Sequence, residues 1–336
     1  MTNIAILGAG AIGSTLGALL SRRGQAVTLI GRPAHVGAIQ RQGLHVEGAF
    51  GAFTVQVLAA EALDFQPEIA FLTVKTQDVV AAVQANRHYL ANALVVTFQN
   101  GLRSDKLVAE LLPTTHIVSS VVIMSASYLT PGTVSVLYPG ALVVGRPSAP
   151  ADRSVETVAA ILRQALPTRV SSNIIGAHWL KLVINLNNAL PAATGLGLAQ
   201  IYADPYLRRL ALVLMREGLL VARRAGVRLE SLPETPALLI RLLGRLPDAL
   251  AGTMLALSVR RVERLGPFYG STHQSLQRGR STEIDYLNGE IVRRGEQLNQ
   301  PVPFNAGMVR LVHQVEQTGE FLTVEAMRAA LDSRLS

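Results

Sequence analysis

The sequence contains no cysteine, which excludes disulfides, thiolate metal sites and a cysteine nucleophile. Aromatic residues make up 5% of the 336 positions and charged residues 16%. Basic residues outnumber acidic ones by 31 to 23. The pairs Arg208-Arg209, Arg223-Arg224, Arg260-Arg261 and Arg293-Arg294 lie in helical-looking segments with few aromatics between them. That pattern describes solvated helix faces rather than a nucleic-acid surface, and a mild positive bias suits an anionic small ligand. Mean hydropathy is +0.31, yet no uninterrupted apolar run reaches the roughly 18 residues of a spanning helix, so no membrane partner is expected. The apolar stretch at residues 4–20 lacks a basic leader and is broken by glycines. It reads as folded structure rather than a signal peptide, and a cytoplasmic location is expected. Lysine is scarcer than any of these totals suggests: the basic residues are arginine except at Lys75, Lys106 and Lys181. Arginine stays charged, whereas lysine exchanges its proton once its pKa is lowered, so a lysine kept at a motif position points to proton chemistry.

The N-terminal residues have a specific order. A short apolar strand, Asn3-Ile4-Ala5-Ile6-Leu7, runs into Gly8-Ala9-Gly10-Ala11-Ile12-Gly13, then a helical run ending at Gly24, then a second apolar strand, Ala26-Val27-Thr28-Leu29-Ile30. Strand, glycine turn, helix and strand within about thirty residues is the setting of a dinucleotide-binding turn. Gly8 permits the tight turn, Gly10 lets the backbone approach a pyrophosphate, and Gly13 lets helix and strand pack closely. The helix N-terminus then offers free N–H groups to the phosphates. An acidic residue after the second strand would select NAD; here Ile30-Gly31-Arg32 follows, and Arg32 suits a 2′-phosphate, so NADP is expected.

Further apolar strands end in Lys75 and in Gln99-Asn100-Gly101, at the carboxyl ends where ligands sit in a doubly wound sheet. Residues 44–47 and 53–57 alternate like a hairpin, helices are expected at about 77–90 and 103–112, and residues 116–126 and 141–145 close the sheet. The reading is α/β: a Rossmann-type domain over 1–170, followed by an all-α domain over 171–336. Length alone makes two domains the default.

Two segments of the second domain carry polar residues in apolar surroundings. In Trp179-Leu180-Lys181-Leu182-Val183-Ile184-Asn185-Leu186-Asn187-Asn188, a helix would place 181, 185 and 188 on one face. Asparagine is a poor helix former, so the cluster is locally costly. The other segment runs from Ser271 through Thr282-Glu283-Ile284-Asp285-Tyr286-Leu287-Asn288-Gly289, where Ser281 or Thr282 is a candidate helix cap. The seven histidines show no metal-ligand spacing, and no metal site is expected; His178 and His273 read as residues lining or flanking the site.

Taken together, GAGAIG, Arg32, the VK pair at 74–75, QNG at 99–101, WLKLVIN at 179–185 and TEIDYLNG at 282–289 resemble the ketopantoate reductase (2-dehydropantoate 2-reductase) family over nearly the whole chain. The resemblance implies NADPH-dependent reduction of 2-dehydropantoate to pantoate, a step toward pantothenate and coenzyme A. It implies Lys181 as general acid and Glu283 as the active-site glutamate. Substrate contacts fall on Asn100, Asn185 and Ser271, with Asn188 the nearest candidate for a second helix asparagine. The cofactor falls to Gly8, Ala9, Gly10, Ala11, Ile12, Gly13, Arg32, Lys75 and Asn100. Two positions depart from the family pattern. Ala189 stands where some members have asparagine, and Ser275 where an acidic residue is frequent; the stretch 229–270 is also long. The alternatives are a related NADP-dependent reductase of another 2-oxo or hydroxy acid, and a non-catalytic nucleotide sensor. The expected partner is a small 2-oxo acid, and the chain is expected to be a monomer or homodimer.

Overall fold

A computed structural model describes residues 2–263 and 269–332. The chain divides into two compact units, Met1–Ala177 and His178–Ser336.

The first unit is built on a ten-stranded sheet of β1 (Asn3–Leu7), β2 (Ala26–Ile30), β3 (Leu44–Gly48), β4 (Phe53–Val55), β5 (Leu58–Ala60), β6 (Ile69–Leu72), β7 (Leu94–Thr97), β8 (Ile117–Thr130), β9 (Thr133–Gly145) and β10 (Thr168–Val170). The order is β4-β3-β9-β8-β7-β6-β1-β2-β5, with β10 beside β9. From β8 to β5 every pairing is parallel. Helices α1 (Ala11–Ser21), α2 (Pro33–Gln42), α3 (Val79–Ala85), α4 (Arg87–Leu90), α5 (Ser104–Ala109) and α6 (Arg153–Leu162) supply the connections. Ile4, Ile6, Phe71 and Val96 face one core with Leu16, Leu20, Val155 and Leu162. Ala5, Leu7, Ala70 and Leu72 alternate onto the other, with Val79, Val83 and Val108. Strands buried on both faces read as continuous apolar runs, which is why they stand out in the sequence.

The far end of the sheet is mixed. Pro131-Gly132 joins β8 to β9 in a two-residue turn, with Gly132 at φ +82°, and such a turn forces the antiparallel pairing that follows. Both strands are longer than expected from residues 116–126 and 141–145. Pro139-Gly140 looks like a turn in sequence but lies inside β9, where the register shifts opposite Ile123 and Ser125. Gly140 sits at φ +56°, and a Cβ there would overlap Ile123 O. The pair is a bulge, tolerated because glycine has no Cβ. The helix expected at 77–90 is a 3-10 turn, Thr76–Asp78, followed by α3 and α4.

The second unit is helical. It contains most of α7 (Ile174–Asn185), then α8 (Ala189–Thr194), α9 (Leu198–Ala203), α10 (Pro205–Arg224), α11 (Ala237–Leu243), α12 (Asp248–Glu263), α13 (Gly270–Gln277), α14 (Asn288–Gln297), α15 (Pro303–Thr318) and α16 (Val324–Asp332). The long α10 forms its centre. Asp204 caps it by accepting from Leu207 N at 2.8 Å, Pro205 pre-sets its first turn, and Arg223 and Arg224 complement its C-terminal dipole. Its buried Leu210, Leu214 and Val221 join Leu186, Ile291, Met308 and Val312 in the core. Of the long stretch 229–270, residues 237–243 and 248–263 are helical, and 264–268 lie outside the described residues. Among the described residues no helix is long and apolar enough to cross a membrane.

Candidate functional site

In the first unit, the glycine turn is closed by its own backbone. Gly8 N and Ala9 N both donate to Ile30 O, at 3.0 and 2.9 Å, and Gly10 N donates to Gly8 O at 2.6 Å. Gly8 sits at φ +111°, and a Cβ there would come within 2.5 Å of Val74 N. A Cβ on Gly13 would lie 2.4 Å from Gly8 O. A Cβ on Gly10 would meet nothing nearer than Gly8 O at 4.0 Å, so the space above it is open. Ala11, Ile12 and Gly13 open α1, whose first-turn N–H groups have no partner inside the helix, and Gly10 supplies no side-chain cap. A backbone cradle with open space and outward N–H groups fits a dinucleotide pyrophosphate.

Arg32 is exposed at the start of α2. That helix is fixed by His35, which is buried. Gly132 N donates to its Nδ1 at 2.9 Å, so Nε2 carries the proton and donates to Ser14 Oγ, also at 2.9 Å. Burial lowers the His35 pKa, consistent with a neutral ring. The ring therefore joins α1, α2 and the β8–β9 turn. Lys75 and Asn100 lie just past β6 and β7, as expected. Two residues to which the sequence assigned no role hold these strand ends together. Thr73 Oγ1 donates to Gly8 O at 2.8 Å. Gln99 Nε2 donates to Leu72 O and Val74 O at 2.8 and 2.9 Å, leaving its buried Oε1 without a protein partner. Thr73 shows in the sequence only as a polar residue at the end of a buried strand, and Gln99 as the first residue of the QNG motif.

In the second unit, α7 runs to Asn185, and Leu186–Asn188 continue as a 3-10 turn into α8. The asparagines thus fall where the helix tightens, not in one regular helix. Asn187 is buried and donates to Tyr202 Oη at 3.2 Å, which separates it from Asn185 and Asn188. The Asn188 side chain packs beneath Gly270, where a Cβ would come within 2.7 Å of its Oδ1. This brings Asn188 to the start of α13, next to the exposed Ser271. Ala189 is fully buried.

Glu283 is half-buried, and Thr282 does not cap an α-helix: its Oγ1 accepts from Ile284 N at 3.2 Å, ahead of a 3-10 turn at Ile284–Tyr286. Burial lowers the Lys181 pKa to about 8, and the Glu283 carboxylate opposes that shift. The two motif segments are therefore electrostatically coupled. They are also tied mechanically by Asn288, which is fully buried and donates from Nδ2 to Leu186 O at 3.1 Å and to Asn305 Oδ1 at 2.9 Å. Sequence reading had only the LNG context for Asn288 and no role for it. His273 is buried between Tyr269 and Phe321, with Nδ1 3.0 Å from Pro191 O.

The model of the family described as "Ketopantoate reductase PanE/ApbA" matches residues 4–149, and that of its C-terminal domain matches residues 173–316. The chain is 28% identical over 318 residues to a 2-dehydropantoate 2-reductase of Pyrococcus horikoshii, covering 94% of this chain and 98% of that one. A similar protein from Pyrococcus abyssi is 29% identical over 306 residues, covering 90% and 94%. Among solved structures, a PanE/ApbA family ketopantoate reductase from Ralstonia eutropha is 33% identical with a TM-score of 0.78, covering 94% and 98%. A D-mandelate dehydrogenase solved with NADH and anilino(oxo)acetate shares the fold, with a TM-score of 0.82 at 22% identity over 94% and 99% of the chains. With both family domains matched in order over most of its length, the chain belongs to the ketopantoate reductase family of oxidoreductases.

Proposed function

We propose that this protein reduces 2-dehydropantoate to pantoate with NADPH, with Lys181 as the general acid, as a step of pantothenate and coenzyme A biosynthesis. The observation that carries the reading is Lys181 itself: one of three lysines in the chain, with its pKa lowered to about 8 beside a carboxylate. An amine with that pKa is protonated at neutral pH and releases its proton readily. When bound, the nicotinamide supplies a hydride to the ketone carbon. Negative charge then develops on the ketone oxygen, where the Lys181 ammonium stabilises it and delivers the proton. Glu283 keeps enough negative potential near Lys181 for the ammonium form to persist. Asn100, Asn185, Asn188 and Ser271 are assigned to the substrate hydroxyl and carboxylate. The turn Gly8–Gly13, with Lys75 and Asn100, is assigned to the cofactor, and Arg32 to its 2′-phosphate.

Steady-state kinetics with 2-dehydropantoate, NADPH and NADH test the reading, with a panel of other 2-oxo acids alongside. A kcat/KM highest for 2-dehydropantoate and NADPH is expected. A higher value for another oxo acid would move the protein to the related-reductase alternative. Arg32→Ala should weaken NADPH binding by about 1.5–3 kcal/mol, the worth of a charge-assisted contact, and leave NADH binding unchanged. Equal loss for both cofactors would remove Arg32 from phosphate recognition.

A further inference from the structure

Glu283 begins a short 3-10 turn, where its carbonyl oxygen accepts from Tyr286 N at 2.9 Å and Thr282 Oγ1 accepts from Ile284 N at 3.2 Å, without a side-chain cap. That one-turn segment is tied to the rest of the unit from α15, on both sides of Glu283. Immediately before it, Thr282 N donates to Glu316 Oε1 at 2.6 Å. Two residues after it, Asp285 Oδ1 accepts from His313 Nε2 at 3.0 Å. The circuit closes on α15, where His313 Nδ1 donates to Glu316 Oε2 at 2.6 Å. Residues 313 and 316 are three apart and share a helix face.

We propose that His313 is a positioning residue for Glu283: clamped between Asp285 and Glu316, its ring ties together the residues on either side of Glu283 and so holds that carboxylate where it acts on Lys181. The inference rests on the reading of Lys181 as the acid.

The chemistry of the ring supports a clamp that is charged. A neutral imidazole has one donor nitrogen, and here both nitrogens face carboxylates, so the doubly protonated ring satisfies both. Burial works against the charged ring, but Glu316 and Asp285 outweigh it and hold the His313 pKa above its ordinary value. Burial likewise opposes the Glu316 carboxylate, and the bonds from Thr282 and His313 keep its pKa low. The surrounding elements carry other charges. Arg310 precedes His313 on α15, and with Arg293 and Glu296 of α14 it lines a groove beside Asp285. Glu290, buried on α14, pairs with Arg293 and Arg294. From α10, Glu217 accepts from Phe304 N and Asn305 N at the start of α15. From α16, Arg328 lies over the Tyr206 ring. The groups that bond the imidazole are Asp285 and Glu316.

The His313 side chain is 38% exposed, so its replacement opens no core cavity. The test compares the parent, His313→Gln, His313→Phe and Lys181→Ala in kcat and KM over about pH 6–10. A second measurement follows amide hydrogen exchange of the peptide spanning 282–286. In the parent, the basic limb of kcat should report Lys181. His313→Phe should move that limb down by about half to one pH unit, so that kcat at a pH above the parent limb falls about three- to tenfold. KM for NADPH should be unchanged, and the 282–286 amides should exchange faster. His313→Gln, which keeps a hydrogen bond without charge, should fall between. Superimposable pH profiles, or a uniform loss of kcat with no movement of the limb, would overturn the proposal whatever happens to the melting temperature. A parent without a basic limb, or Lys181→Ala retaining it, would overturn the Lys181 reading and this proposal with it. That outcome is read from those two proteins alone, so the two failures are separable.

Discussion

At the scale of single residues, the chain separates the two basic side chains by task. Arginine makes the multi-nitrogen contacts, as Arg146 does with Asp152 and the Ile117 carbonyl, while Lys181 sits where burial and Glu283 compete over a proton. Lys181→Ala should cut kcat by roughly 10²–10⁴ while leaving NADPH affinity close to the parent's. Lys181→Arg should recover little of it, because the charge returns without a proton that leaves at working pH. Turnover within a few-fold of the parent in single-turnover measurements of either variant would take Lys181 out of the mechanism. Lys181 was legible in the sequence because scarcity made it conspicuous, and the motif around it carried a family resemblance. The roles of Thr73, Gln99 and Asn288 were not legible. Each acts by donating to backbone carbonyls of a distant segment, and a bond of that kind leaves no local pattern: the partner is named by the fold, not by sequence spacing. His313 was read only for metal-ligand spacing, since its carboxylate Asp285 lies 28 residues away.

At the scale of elements, the glycine turn shows how one motif contains positions with different physical demands. Gly13→Ala would drive a Cβ to 2.4 Å from the Gly8 carbonyl oxygen, a backbone atom that cannot swing aside. Gly10→Ala would place its Cβ in open space, at φ −90°, where alanine is unstrained. Gly10→Ala should therefore melt like the parent yet bind NADPH at least tenfold more weakly, because the methyl group occupies the approach of the pyrophosphate. Gly13→Ala should lose melting temperature as well as affinity. Calorimetric titration of NADPH beside thermal melts checks both, and an unchanged NADPH affinity in Gly10→Ala would show that the cofactor does not approach there. The strands and this turn were readable because buried parallel strands give apolar runs and the glycines give the turn. The long β8–β9 arms were cut short in the sequence reading for a related reason. Pro139-Gly140 has turn composition, and only the pairing across to Ile123 reveals a bulge inside a strand. The break at Asn185 was likewise hidden, since helical spacing cannot show where an α-helix tightens into a 3-10 turn.

At the scale of the whole molecule, the same lysine sets stability against activity. Its pKa falls from 10.5 to about 8 on folding, chiefly through burial. The unfolded chain therefore holds that proton more tightly than the folded one. A shift of this size corresponds to about 3 kcal/mol of folding free energy given up at neutral pH to keep the ammonium buried. The penalty is constant below pH 8, where both states are charged. It shrinks as pH rises from about 8 to 10.5, because the folded amine is already neutral while the unfolded one is losing its proton. It is gone once both are neutral. Methionine has similar length, no charge and good helix propensity, so Lys181→Met should stabilise the protein while abolishing turnover, the trade expected where function strains a site. The expected gain is about 1–3 kcal/mol at pH 7, discounted because the Lys181 side chain keeps some solvent contact and because Glu283 loses its counter-charge. The pH dependence separates this cause from improved packing. Denaturant titrations of parent and Lys181→Met should differ most below pH 8 and converge toward pH 10.5. A gain that stayed constant across that interval would come from packing, and a Lys181→Met variant less stable than the parent at pH 7 would mean that the folded protein favours the ammonium, with Glu283 outweighing burial.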